Sequence, residues 1–259
     1  MKKFLLLIFI MASLLIGCFE TTEGLTINKD GSGSYALDID MSGMFALMDM
    51  EKGEDSSASS VIPDDRKNFD STILFKSFVD TAKDLTAEEK ALLHNAVAHI
   101  KMNEKEKIFK ITMTYPFAKI DDVSKIMALS GSHKGSNTIQ KIFKGNTAPA
   151  DTTVGNTNPD LPNFTDMYNL TYKDGLLERK IKPEKFKEME DQLKAAGENG
   201  MEEMISSVKM NSVINLPRPV KSVQGERVKL SADKKTVTIN CTMKDILTSP
   251  KSVEYRIQY

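Results

Sequence analysis

Gly24-Leu25-Thr26-Ile27-Asn28-Lys29-Asp30-Gly31-Ser32-Gly33-Ser34-Tyr35-Ala36-Leu37-Asp38-Ile39-Asp40-Met41 is the stretch whose reading decides the fold. Leu25 and Ile27 alternate with Thr26 and Asn28, while Tyr35, Leu37, Ile39 and Met41 form a second apolar row opposite Asp38 and Asp40. Successive strand residues point to opposite faces, so a period of two gives strands with one dry and one wet side. Between them, Lys29-Asp30-Gly31-Ser32-Gly33 supplies turn residues. The expected unit is an antiparallel hairpin.

Downstream the same unit returns. Ile100 and Met102 mark a strand, Asn103-Glu104-Lys105-Glu106 a turn, and Phe109, Ile111, Met113, Tyr115 and Phe117 a strictly alternating partner. Phe164 to Tyr172 alternate up to Lys173-Asp174-Gly175, and Leu177 to Ile181 return. Val208 to Leu216, the pair Val228–Leu230 and Val237–Cys241, and Val253 to Tyr259 complete the set. Helical signals fall between these groups. A short helix is expected over Met44 to Met48, and Leu74, Phe75 and Phe78 share a helical face. Thr86-Ala87-Glu88-Glu89 is a capping box. Another helix starts at Asp121-Asp122 with acidic residues in its first turn, and Pro183 opens one at its favoured first position. Met243 to Leu247 suits a single turn. The expected fold is α+β: an antiparallel sheet of roughly eight or nine hairpin-linked strands with helices packed on one face.

Working back toward the N-terminus, Met1-Lys2-Lys3 is a short basic start, Phe4 to Ile16 is almost wholly apolar, and Leu15-Ile16-Gly17-Cys18 closes the run. These are the parts of a secretory signal peptide. The run is too short before Glu20-Thr21-Thr22-Glu23 for a membrane span, which needs about 20 apolar residues. Leu15-Ile16-Gly17-Cys18 resembles the lipobox of bacterial lipoproteins. The resemblance implies a diacylglyceryl group on the Cys18 sulfur, cleavage after Gly17 and acylation of the new amino terminus. It also implies anchoring in the bacterial cell envelope. An aspartate after the lipidated cysteine is an inner-membrane retention signal in some lineages, and Phe19 in its place points to the outer membrane.

This divides the chain into a signal peptide over 1–17, a lipidated N-terminus and short tether over 18–23, and an α+β domain over 24–259. About five residues separate Cys18 from the expected first strand. At roughly 3.3–3.6 Å per extended residue the domain stands within about 20 Å of the bilayer. Inside the domain, residues 130 to 163 are rich in Gly, Ser, Thr, Asn and Pro and read as a long loop, the best candidate for a partner-contacting segment. At family level the chain resembles poorly characterised envelope lipoproteins in which a hairpin bearing Asp-Gly-Ser-Gly follows the lipobox. Leu216-Pro217-Arg218-Pro219-Val220, followed by Lys235-Thr236-Val237-Thr238-Ile239, is similar to the β-domain of LppM-type lipoproteins. Neither resemblance carries a functional residue across except Cys18.

Composition narrows the function classes. The net charge of −1 becomes −3 once Lys2 and Lys3 leave with the signal peptide. There is no basic excess to draw nucleic acid and no cluster to hold anionic lipid, so the membrane is reached through the covalent lipid alone. With Cys18 lipidated, Cys241 is the remaining cysteine of two. It falls on the apolar side of Val237-Thr238-Ile239-Asn240-Cys241 and reads as a small buried hydrophobe; a reactive thiol is the sharper alternative.

The constellations that would carry chemistry fall short. Asn28, Asp30 and Ser32 lack the late carboxylate of a calcium loop and read as a hairpin turn. Met41, Met44, Met48 and Met50 would suit Cu(I) as thioethers, but their spacing is that of a core-facing helix. His94 and His99 are five apart, unlike a helical metal pair, and His133 stands alone. No G-x-S-x-G elbow, phosphate loop or dinucleotide turn is present. No catalytic, cofactor or metal residue is therefore assigned, and the assigned site residue is Cys18. Tyr172 and Tyr255 either fill the core or line an apolar pocket. The expected function is a non-enzymatic binding or assembly module close to the bilayer, with an envelope protein or an apolar ligand as partner. The alternative is an envelope hydrolase whose site is dispersed in sequence.

Overall fold

A computed structural model describes residues 19–43, 45, 68–130, 166–197 and 206–259. Among these residues twelve strands form two sheets, and five α-helices accompany them. The opening hairpin is β1 (Glu20–Ile27) and β2 (Gly33–Asp40), paired antiparallel in the register Leu25↔Tyr35 and Glu23↔Leu37. Its turn closes on itself. Asn28 N–H donates to the Ser32 carbonyl at 2.8 Å, and the Asp30 carboxylate accepts from the backbone N–H and the hydroxyl of Ser32. Gly31 takes a φ of 84°, a left-handed value that a side chain would resist.

The second group contains β3 (Asn68–Leu74), helix α1 (Lys76–Val79), helix α2 (Ala87–Leu93), β4 (Val97–Asn103) and β5 (Ile108–Phe117). The capping box of α2 forms as expected, with Thr86 and Glu89 each accepting from the other's backbone N–H. A 3₁₀ turn, Ile120–Asp122, then leads into α3 (Val123–Ser130). After it come β6 (Tyr168–Lys173), β7 (Leu176–Ile181), α4 (Pro183–Gly197) and β8 (Lys209–Asn215). The last segment holds β9 (Ser222–Gln224), β10 (Val228–Leu230), β11 (Thr236–Thr242), α5 (Met243–Thr248), a 3₁₀ turn at Pro250–Val253, and β12 (Tyr255–Gln258).

The α+β class and the mostly antiparallel pairing match the sequence reading, while the sheet arrangement differs from it. An eight-stranded sheet runs β10-β11-β8-β1-β2-β5-β4-β3, and a separate four-stranded sheet runs β6-β7-β12-β9. Within the larger sheet β1 and β8 are parallel, Leu25 opposite Ile214. Hairpin logic pairs only neighbours in sequence, so it missed this joint and merged the sheets into one. It also read Leu74 as helical. Asn68 to Leu74 is instead an edge strand, antiparallel to β4, with Leu74 exposed at its end.

The first strand starts earlier than the expected domain boundary at residue 24. β1 begins at Glu20, whose carboxylate accepts from the Asn211 side-chain amide at 2.8 Å. Even Phe19 is engaged, since its carbonyl accepts from Lys209 N–H at 2.9 Å. Polar residues made Glu20 to Glu23 look like a linker, yet their cross-strand partners hold them in the sheet. The expected helix at Met44–Met48 lies, apart from Phe45, outside the described residues, as does the loop expected at 130–163 beyond Ser130.

Burial follows the strand parity. Leu25, Ile27, Tyr35, Leu37, Met113, Tyr115, Ile214 and Ile239 point to one face of the larger sheet and are buried. The smaller sheet lies over this face near β1 and β8, where Arg179 of β7 reaches Glu23 and Ser212. Helix α2 packs on β5, and α3 on α2 and β6. Ser124 of α3 also donates to the Leu170 carbonyl, tying the helix to the smaller sheet.

Candidate functional site

Cys18 lies outside the described residues. What the structure supplies is the chain immediately after it. Phe19 and Glu20 are fastened to β8, so any group on Cys18 attaches one residue from the edge of a strand at the middle of the larger sheet.

The most polar part of the interior is a cluster that joins the two sheets. β1 places Glu23 at an inward position in line with Leu25 and Ile27, β8 does the same with Ser212 between Met210 and Ile214, and β7 with Arg179 between Leu177 and Ile181. Arg179 Nη1 donates to Glu23 Oε2 at 2.9 Å and to Ser212 Oγ at 3.1 Å, and Ser212 donates on to Glu23 at 3.2 Å. Tyr35 Oη donates to the other Glu23 oxygen at 3.3 Å, and Arg179 Nε reaches the Val253 carbonyl at 3.3 Å. The guanidinium lies 4.1 Å from the Tyr168 ring centroid and 5.1 Å from that of Tyr255, within range of cation–π attraction.

Electrostatics favour a charged Arg179 and neutral tyrosines around it. Burial acts to discharge Arg179, but Tyr255, Tyr168 and Glu23 outweigh it and hold the guanidinium above its ordinary range. Burial raises the Tyr35 phenol well above its usual value, with Glu23's charge adding to it, and burial pushes Tyr255 up to about 12. Arg179 is 4% and Glu23 8% exposed, so no substrate reaches the pair directly. An adjoining space of about 20 Å³ is enough for one water. Chemically the cluster is a sealed clasp between sheets.

A larger cavity, about 200 Å³, opens beside the smaller sheet and is lined by Ile120, Asp121, Leu170, Thr171, Tyr172 and Leu177. The 3₁₀ turn after β5 supplies Ile120 and Asp121, and the β6–β7 hairpin supplies the rest. Ile120, Leu170 and Leu177 are buried, while Asp121 and Thr171 are exposed. Tyr172 stacks on Tyr259, with ring centroids 6.2 Å apart and planes at 28°, and Arg218 lies 5.8 Å from the Tyr259 centroid.

The structure separates the other residues singled out in the sequence. Tyr172 lines the larger cavity, whereas Tyr255 belongs to the Arg179 clasp. His94 follows α2, 3.7 Å from Asp80, and His99 of β4 contacts Asp70 across the strand pair at 2.7 Å; the two imidazoles are not brought together. His133 is outside the described residues, as are Met44, Met48 and Met50. Met41 is half-buried and packs against the core. Asn28, Asp30 and Ser32 close the hairpin turn on one another. Cys241 is buried, donates to the Met210 carbonyl at 3.2 Å, and has its thiol pushed up to about 11 by burial. Among the described residues no group of three or more His, Cys, Asp or Glu is placed to hold a metal ion, and no helix is long and apolar enough to cross a membrane.

Glu23, Ser212 and Arg179 were not picked out from the sequence, although Ser212 and Arg179 interrupt apolar rows at inward positions and Glu23 heads one. That interruption was the available signal. Asp121 and Thr171 had none, because a cavity formed by a turn and a distant hairpin leaves no local pattern.

No family model matches the chain, and no curated protein does. Among solved structures, the folded domain of Mycobacterium tuberculosis LppM, determined by NMR, covers 92% of this chain and 86% of its own at 9% identity and a TM-score of 0.32. That likeness is too loose to argue fold or role.

Proposed function

We propose that the protein is a lipoprotein anchored in the bacterial cell envelope through Cys18, acting as a non-enzymatic binding or assembly module held against the bilayer. The observation that carries this reading is the start of β1 at Glu20, two residues after the lipobox cysteine. Two extended residues span about 7 Å, so an acylated Cys18 leaves the domain no reach beyond the headgroups. One acyl chain anchors only marginally and two or three hold durably. Phe19 in the position after the cysteine favours the outer membrane. The binding reading draws support from the cavity beside the smaller sheet, whose apolar floor and polar mouth suit holding a ligand.

Intact mass of the membrane-extracted protein, wild type beside Cys18→Ser, tests the anchor. The expected result is a mature chain starting at Cys18 with acyl mass, and an uncleaved or lipid-free product in the variant. A wild-type chain cut elsewhere and carrying no lipid overturns the reading. For the binding role, the extracted protein is expected to leave peptidoglycan, ester and peptide substrates unchanged. Turnover of any of them that survives repurification would make the module an enzyme.

A further inference from the structure

We propose that the cavity formed by Ile120, Asp121, Leu170, Thr171, Tyr172 and Leu177 binds a small organic ammonium ion. This deepens the binding role above and is independent of the anchor.

Three features converge on that ligand class. The floor is apolar, with Ile120 and Leu170 each slightly exposed over a fully buried Leu177. It would accept methyl or methylene groups and reject a strongly hydrated inorganic ion. Tyr172 forms an aromatic wall, and its stacking on Tyr259, itself 2% exposed and flanked by Arg218, fixes the ring before a ligand arrives. A pre-set ring attracts a cation without an ordering cost. Asp121 supplies the countercharge. Its charge also acts on Lys125, one turn on, but the hydrogen bond of that ammonium goes to Glu88, which leaves the Asp121 carboxylate oxygens at the cavity. Thr171 adds a hydroxyl at the mouth.

Size restricts the ligand further. At about 200 Å³ the space is below the 300–1,000 Å³ usual for larger ligands, so it fits one ammonium group with a short substituent. Ile120 follows β5 just beyond Phe117, which lies opposite Gly33. Gly33 in turn pairs with Ile27, at the end of β1 remote from Glu20. Leu170 also borders the small space beside Glu23, so the cavity runs from this end of the sheet toward its middle.

Saturation-transfer NMR on the full chain in a maltoside detergent, titrated with choline and separately with its uncharged isostere 3,3-dimethyl-1-butanol, tests the assignment. Choline is expected to bind saturably and the neutral alcohol at least about fivefold more weakly. Asp121→Asn is expected to weaken choline about tenfold without moving the alcohol. Tyr172→Leu should weaken choline while keeping the apolar wall. Asp121 is exposed, so its variant is expected to melt with the wild type, which separates lost binding from lost fold. Equal binding of choline and the alcohol overturns the proposal, as does an unaltered choline affinity in Asp121→Asn or no saturable signal from choline. None of these results bears on the mass of the N-terminus, so anchor and cavity stand or fall separately.

Discussion

Gly33 begins β2 with no room for a side chain. A Cβ there would lie 1.9 Å from the Thr26 carbonyl oxygen and 2.6 Å from Cζ of Phe117. The backbone contact cannot be relieved by a rotamer change, so Gly33→Ala must push β1 and β2 apart. It is expected to cost stability near the top of the about 1–3 kcal/mol range for overpacking, read as a lowered denaturation midpoint. At Gly31 an added Cβ would meet nothing within 4 Å, so a substitution there would show only the strain of its positive φ. The sequence placed both glycines in one turn. It held nothing to rank them, because the crowding at Gly33 comes partly from Phe117 on another strand.

At the scale of elements, α5 depends on a carboxylate. Asp245 accepts from the Thr242 backbone N–H at 2.8 Å, its own N–H donates to Thr242 Oγ1 at 3.2 Å, and Arg227 donates to it at 3.0 Å. The Thr242 backbone bond is the largest influence holding the Asp245 carboxyl below its ordinary 3.8. A depressed folded value means that Asp245 adds its full stability above 3.8 and loses it as pH falls through the lower value. Wild type is therefore expected to weaken on acidification below about pH 4 more steeply than Asp245→Asn, in urea melts at matched pH. The capping box of α2 was legible as Thr86-Ala87-Glu88-Glu89, a pattern of neighbours. The pairing of Arg227 with Asp245 was not, since it joins residues on separate elements. β3 escaped notice for another reason: Phe69, Ser71 and Ile73 alternate at an edge, where one polar member at an inward position blurs the period.

Across the whole molecule, the Arg179 clasp decides how the two sheets stay together. Removing one member of a buried ion pair strands the other without water, at about 3–5 kcal/mol. Arg179→Met is expected to lower stability by about that amount, whereas Glu23→Leu with Arg179→Met should recover most of the loss. Thermal melts of the two single variants and the double variant measure the coupling directly. If the double variant is as unstable as the sum of the singles, the pair contributes independently to each sheet and does not act as a clasp. The fold class, most hairpins and the helix starts could be read from local alternation and capping. Sheet membership could not, because it rests on the β1–β8 pairing and on Arg179 meeting Glu23, 156 positions away.

The parallel joint between β1 and β8 also sets an order in time. Glu23 and Ser212 face each other across 189 positions, so the first described strand finds its second neighbour only when nearly the whole domain has emerged. Until then β1 has β2 on one side and an open row of backbone donors and acceptors on the other. Contacts at such separation form slowly. On the proposed export route this delay would be useful, because the sheet cannot close before the chain has crossed. The same delay leaves the newly arrived N-terminal hairpin as the surface on which a chaperone, or a second unfinished chain, would first take hold.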